Sequence, residues 1–248
     1  MEKNKNQTAM MFKEYPEEIF NTTSAECVLK VLFEYIQPKS VLDVGCGNGS
    51  WLKAFTAYGV EDILGLDGFY VPQESLLIPK DKFQGVDLSQ PIRLEKKYDL
   101  VVSLEVAEHL PEAAADTFIE TLITHADTIL FSAAIPMQGG LNHINEQYLS
   151  YWLKKFEQHS YLFYDLIRPR IWDNDKIFFW YRQNIVIAAN QNSPIAQKYQ
   201  PSTWIDFVHP QLFEREAKRA YNFEQGKVGI KNTFNALLKS ISRKFRRS

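Results

Sequence analysis

Cysteine is nearly absent from this chain of 248 residues: Cys27 and Cys46 are the only two. Neither sits at metal-ligand spacing from another cysteine, which removes a disulfide framework and a cysteine-built metal site and favours a reduced, cytoplasmic setting. Long apolar runs are missing as well, since none approaches the roughly 18 residues needed to cross a bilayer. The opening MEKNKNQTAMMFKEYPEE is too polar and acidic for a secretory signal. Glycine and proline number 11 each and no internal repeat occurs, so collagen-like and low-complexity architectures are excluded. The total charge is only −2, and nucleic acid is not an expected partner.

What the chain does have is aromatic side chains, with 17 Phe, 12 Tyr and 5 Trp, inside an ordinary globular composition of 45% hydrophobic and 23% charged residues. That is ample for one sizeable core. The near-neutral total conceals an asymmetry: residues 226–248 hold seven Lys or Arg and no acid, so removing those seven from −2 leaves −9 on residues 1–225.

Helical spacing of Val28, Leu29, Leu32, Phe33 and Ile36 predicts a helix over 24–36, halted at Pro38. Short apolar strands follow at 40–45, 62–67, 82–88, 99–105 and 128–135, with helical segments at 50–59 and 112–126 between them. This alternation predicts a parallel sheet with helical crossovers. SYLFYDLI at 160–167 and FFWYRQNIVIAA at 178–189 lie too close together for a crossover helix and read as a hairpin that finishes the sheet. The expected division is a domain over 1–190, including the N-terminal helical approach, followed by a linker and basic helical extension over 191–248.

The most informative segment is VLDVGCGNGS, where Gly45, Gly47 and Gly49 fall between a strand and a helix. Such glycines permit a tight turn and close backbone approach to a ligand. The dinucleotide pattern G-x-G-x-x-G needs Gly at 50, where Ser stands, and a P-loop needs Gly-Lys-Ser/Thr at the helix start. With Asp43 ahead of the glycines, the segment resembles the first motif of class I S-adenosylmethionine-dependent methyltransferases. The resemblance covers roughly residues 20–190 and implies an α/β, Rossmann-like, seven-stranded sheet with helices on both faces and an antiparallel terminal strand. It further implies that Asp43, Gly45, Gly47 and Gly49 hold the methionine moiety, that Asp67 takes the ribose hydroxyls, and that Asp87 with Leu88 faces the adenine. Phe69 is a candidate to cover that ring, and Asp99 is an architectural acid. Ser103 and Glu105 lie at the carboxyl edge of the sheet, where open parallel sheets bind ligands.

A hydroxyl acceptor must lose a proton during methyl transfer, so a base is expected on the acceptor side. His143 in GGLNHINEQYL is the first candidate and His109 in SLEVAEHLPE the second. Glu105, Glu108 and His109 stand at i, i+3 and i+4, one face of the segment if it is helical. Together with His143 they resemble the two-glutamate, two-histidine site of small-RNA 2′-O-methyltransferases, which implies a Mg²⁺ or Mn²⁺ ion. The alternative is that both glutamates cap a helix or bond cofactor and backbone.

The segments LNHINEQYLSYW and IRPRIWDNDKIFFWYRQN resemble bacterial methyltransferases that tailor glycans and small metabolites. Arg168 and Arg170 are candidates to grip an anion, and Trp172, Trp180 and Tyr181 to wall a sugar. Gln147 and Asn184 are polar candidates for orienting the acceptor. The expected activity is O-methylation of a small polar, phosphorylated or glycan-related metabolite. N-methylation, or a noncatalytic cofactor-binding role in a glycan-assembly complex, is the alternative. In the tail, Phe234, Leu237, Leu238, Ile241 and Phe245 form one helical stripe among basic residues, compatible with peripheral contact to the inner membrane face or a lipid-linked substrate.

Overall fold

The computed structural model describes residues 21–245, with side chains through Ser242. The N-terminal stretch weighed above as a signal lies outside the described residues. The order of elements is α1 (Thr23–Leu32), β1 (Ser40–Val44), α2 (Ser50–Ala57), β2 (Asp62–Asp67), β3 (Phe83–Gly85), β4 (Leu100–Leu104), α3 (Ala115–His125), β5 (Thr128–Ser132), α4 (Leu149–Glu157), β6 (Leu162–Tyr164), α5 (Arg168–Ile171), α6 (Phe179–Asn184), β7 (Val186–Ala189), α7 (Pro194–Lys198), α8 (Pro210–Glu224) and α9 (Ile230–Phe245).

Seven strands form one sheet in the order β3-β2-β1-β4-β5-β7-β6. The first five are parallel to one another, and β7 runs antiparallel to both β5 and β6. The strands are short, and the central β1, β4, β5 and β7 are buried on both faces, as their near-continuous apolar sequences require. The pleat divides their side chains between two cores. Val41, Leu100, Val102 and Ile187 join α1 and α2 in one. Leu42, Val101, Phe131 and Val186 join α3 and α4 in the other.

Register brings the acids to one edge. Asp43 stands opposite Gly65 and Val102, and Asp67 stands opposite Gly85. At the other end, Asp99 Oδ2 accepts the Lys39 and Ser40 N–H groups at 2.8 and 3.1 Å, locking β1 to β4 in the expected architectural role.

Residues 178–184 depart from the expected strand. The antiparallel β6–β7 pair is present, but Phe179–Asn184 forms α6 and only Val186–Ala189 enters the sheet. A short apolar run does not distinguish strand from helix by period alone. Here the polar trio Arg182, Gln183 and Asn184 decides it, because all three are buried and the two amides find partners beyond the sheet edge.

Packing divides the chain into two compact units, Met1–Phe207 and Val208–Ser248. Ile195 and Ile205 join the cores of the first, so the polar stretch after Ala189 packs with the sheet through Phe207. In the second unit, His209 caps α8 by accepting the Gln211 N–H, and α9 follows after Gly229. Among the described residues, no helix is long and apolar enough to cross a membrane. Cys27 and Cys46 are both free thiols.

Candidate active site

The turn after β1 needs glycine for two different reasons. Gly45 has φ 91°, and a Cβ there would lie 2.3 Å from Val106 Cγ2, so both backbone and space demand it. Gly47, at φ 56°, has no atom within 4 Å of the Cβ position, so the turn opens there onto free volume. Its N–H donates to Asp67 Oδ2 at 2.7 Å, tying the turn to the end of β2. Asp67 Oδ1 accepts the Gly68 N–H at 2.6 Å and the Tyr70 hydroxyl at 2.7 Å. Burial raises the Asp67 pKa even against these hydrogen bonds. Asp43 is raised well above the usual carboxylate range, first by burial and then by the charge of Asp67. Two buried acids held this close favour a cationic or hydroxyl-rich ligand.

Farther along the edge, Asp87 is exposed, and its Oδ1 accepts the Ser89 N–H and hydroxyl at 3.0 and 2.6 Å. Leu88 turns its side chain into the core. Phe69 is 77% exposed and its ring packs over Gly85. Ser103 is fully buried in β4, with its Oγ unpartnered.

The cluster expected on the acceptor side begins at Glu105, which adopts a left-handed backbone with φ 56° two residues before the 3₁₀ turn Ala107–His109. The expected shared helical face therefore does not form. Glu105 instead accepts from Gln138 Nε2 at 2.7 Å and Asn184 Nδ2 at 3.0 Å, and Gln183 Nε2 donates to both amide oxygens at 3.2 and 3.0 Å. Three of the four residues expected to bind metal do converge: donor atoms of Glu108, His109 and His143 lie within 4.8 Å of one another.

Glu108 is wholly buried and neither carboxylate oxygen makes a hydrogen bond of standard geometry. Burial, then the Glu105 charge, pushes its pKa well up, opposed by the nearby backbone N–H groups of Glu108 and Ala134. His109 is pushed down to about 4, by burial first and His143 second, against a hydrogen bond with the Asn142 backbone. His143 packs edge-on to His109 with ring centroids 4.8 Å apart, and its Nε2 lies 4.0 Å from Glu108 Oε1.

Glu146, which did not stand out in the sequence, organises this loop. Its Oε1 pairs with His143 Nδ1 at 2.9 Å and accepts the Gly139 N–H at 2.7 Å, while Oε2 accepts the Met137 N–H at 2.9 Å. The Ile144 and Asn145 N–H groups bond the Glu108 carbonyl at 2.9 and 3.0 Å, closing the loop against the 3₁₀ turn. A Cβ on Gly140 would sit 2.1 Å from His143 Nε2, so that glycine makes room for the ring. The only sequence signal for Glu146 was an acid three residues after His143.

The arginines expected to grip an anion are committed elsewhere. The Arg168 side chain is 1% exposed; its Nε bonds Asp165 Oδ1 at 2.9 Å and its Nη1 bonds the Gln183 and Ile205 carbonyls at 3.0 and 2.8 Å. Arg170 forms a two-pronged pair with Glu34 at 3.0 and 3.1 Å. The expected aromatic wall is likewise internal in part. Trp172 packs edge-on to Phe207, Trp180 stacks on Phe178 at 4.4 Å, and the Tyr181 hydroxyl meets Trp51 Nε1 at 3.4 Å. Gln147 donates to Asn145 Oδ1 at 3.1 Å.

Residues 19–164 match the family described as a methyltransferase domain. No curated protein matches the chain. Among solved structures, the methyltransferase domain of a bacterial CtHen1 is similar at TM-score 0.52 and 20% identity, covering 69% of this chain and 98% of that one. Magnesium protoporphyrin IX methyltransferase (ChlM) from Synechocystis PCC 6803 with bound SAH is similar at TM-score 0.50 and 21% identity, covering 68% and 82%. These likenesses establish the fold.

Proposed function

The chain belongs to the methyltransferase-domain family and is a class I S-adenosylmethionine-dependent methyltransferase; from that premise we propose that it methylates a hydroxyl oxygen on a small polar acceptor, anionic or sugar-containing. The observation that carries this reading is the convergence of Glu108, His109 and His143 beside β4. A neutral amine attacks with its own lone pair, whereas a hydroxyl must lose a proton as it attacks.

His143 receives that proton. Glu146 holds its Nδ1, which leaves Nε2 as the working nitrogen. His109, with its pKa near 4, stays neutral at pH 7 and is a weak base, so its role is to orient the acceptor oxygen. On the donor side, Asp43 and the turn of Gly45, Gly47 and Gly49 take the methionine moiety, and Asp67 takes the ribose hydroxyls. Asp87, the Leu88 backbone and the exposed ring of Phe69 serve the adenine, with Ser103 and Glu105 behind the reacting centre. Alignment of acceptor oxygen and methyl group by these two half-sites supplies much of the acceleration.

A divalent cation is a second reading favoured by one observation: neither Glu108 oxygen nor His109 Nδ1, all of them buried, makes a hydrogen bond of standard geometry. Glu108 would supply the oxygen donor and His109 and His143 the nitrogen donors, a set that suits Mn²⁺ better than the harder Mg²⁺. Bound Mg²⁺ or Mn²⁺ would lower the pKa of an acceptor hydroxyl.

The test offers the full chain labelled methyl donor and matched acceptors differing only in OH or NH₂, with and without chelator. Labelling of the hydroxyl member is expected. Labelling of the amine alone would replace this reading with N-methylation, and no S-adenosylhomocysteine from any pair would favour a cofactor-binding component of a glycan-assembly complex. Loss on chelation with recovery in Mn²⁺ supports the second reading.

A further inference from the structure

The methyltransferase reading leaves α9 unused. This helix exposes Ile230, Phe234, Leu237, Leu238 and Ile241, the last four between 45% and 56%. At about 100° per residue these five side chains occupy an arc of roughly 100° along one face. No charge interrupts that arc. Lys231 borders it, Lys239 lies on the opposite side, and the segment 226–248 carries Lys227, Arg243, Lys244, Arg246 and Arg247 besides, with no acid.

The preceding helix provides the contrast. In α8, Glu214, Glu216 and Glu224 balance Arg215, Lys218 and Arg219, and Glu216 pairs with both arginines. That is a solvated, self-neutralised surface, whereas the sequence of α9 and its flanks offers no acid to balance its seven basic residues.

We infer that α9 is an interfacial anchor that lies on an anionic lipid surface, its apolar stripe in the acyl boundary and its basic residues among acidic headgroups. A second copy of the chain is a poor occupant, because pairing two stripes would bring two uncompensated sets of seven cations together. A nucleic-acid backbone would satisfy the cations but leave the apolar arc facing water. An acidic bilayer surface satisfies both.

The test sediments the full chain with vesicles of phosphatidylcholine alone or with 30% phosphatidylglycerol added. Partitioning at least about tenfold higher onto the anionic vesicles is expected, falling with added salt. The double variant Leu237→Glu/Ile241→Glu and the variant Lys231→Gln/Lys239→Gln/Arg243→Gln should each lose most of it. All five positions lie in α9, outside the methyltransferase unit, so cofactor binding by calorimetry should stay unchanged and confirm that the methyltransferase unit of each variant is folded. Equal binding to both vesicle types, or to neither, overturns the inference. So does self-association in ultracentrifugation abolished by Leu237→Glu/Ile241→Glu, or tighter binding to an oligonucleotide than to anionic vesicles. None of these readouts depends on which atom accepts the methyl group.

Discussion

Moving the protein from pH 7 to pH 5 tests the environment of His109. Burial and the neighbouring His143 bring its pKa from 6.5 down to about 4 in the folded state. The unfolded chain takes up that proton near pH 6.5, so between the two values the unfolded state binds more protons and stability falls as pH falls. At 1.36 kcal/mol per pKa unit, this one group removes about 2 kcal/mol at pH 5 and about 3 kcal/mol at pH 4. Asp43, Glu105 and Glu108 act with the opposite sign, because their raised pKa values favour the folded state on acidification. A difference measurement separates the two effects: urea unfolding of the wild type and of His109→Gln from pH 4 to 7.5. The variant should gain about 2 kcal/mol relative to the wild type between pH 7 and pH 5. A flat difference, or an NMR titration of the His109 ring with a midpoint near 6.5, would show that burial does not hold the ring neutral.

Asp67→Ala should weaken S-adenosylmethionine binding by about 2 kcal/mol, roughly thirtyfold, through lost charge-assisted hydrogen bonds; unchanged affinity in calorimetry removes the ribose assignment. Arg168→Met leaves Asp165 and two carbonyls unpaired and should cost about 3 kcal/mol or more, lowering Tm by roughly 10 °C. Lost turnover with an unchanged Tm would instead return Arg168 to the acceptor site. Glu146→Gln keeps a carbonyl oxygen but cannot accept from the loop N–H groups and His143 together. Turnover should fall about tenfold with cofactor affinity preserved, and unchanged turnover would make Glu146 a loop brace only.

The elements that carry the proposed donor half-site were legible because they are local. A strand, a glycine turn and an acid ending the next strand are contiguous patterns, and the sheet register then carries Asp43 and Asp67 to the same edge. Asp99 was legible for the same reason, as the residue that leads into a strand. The acceptor half depends on distant pairings. Gln183 meets Gln138 across 45 positions, and Arg168 meets Ile205 across 37. Nothing in the local pattern of IRPRIW distinguishes a buried clamp from an exposed anion grip. Glu105 misled because its spacing to Glu108 and His109 assumed helix, whereas the left-handed backbone at Glu105 turns its carboxylate to the amides of Gln138 and Asn184. Glu146 was hidden because its importance lies in backbone donors that no side-chain pattern reveals.

On the proposed mechanism, His143 takes the proton of a hydroxyl acceptor while the donor half-site works independently of it. Single-turnover methyl transfer to the hydroxyl acceptor by His143→Ala, measured beside calorimetric S-adenosylmethionine affinity of the same preparation, tests this directly. Transfer should fall by about a hundredfold or more, within the usual span of general-base catalysis, and affinity should stay within about threefold. Full transfer by the variant would remove His143 as the base.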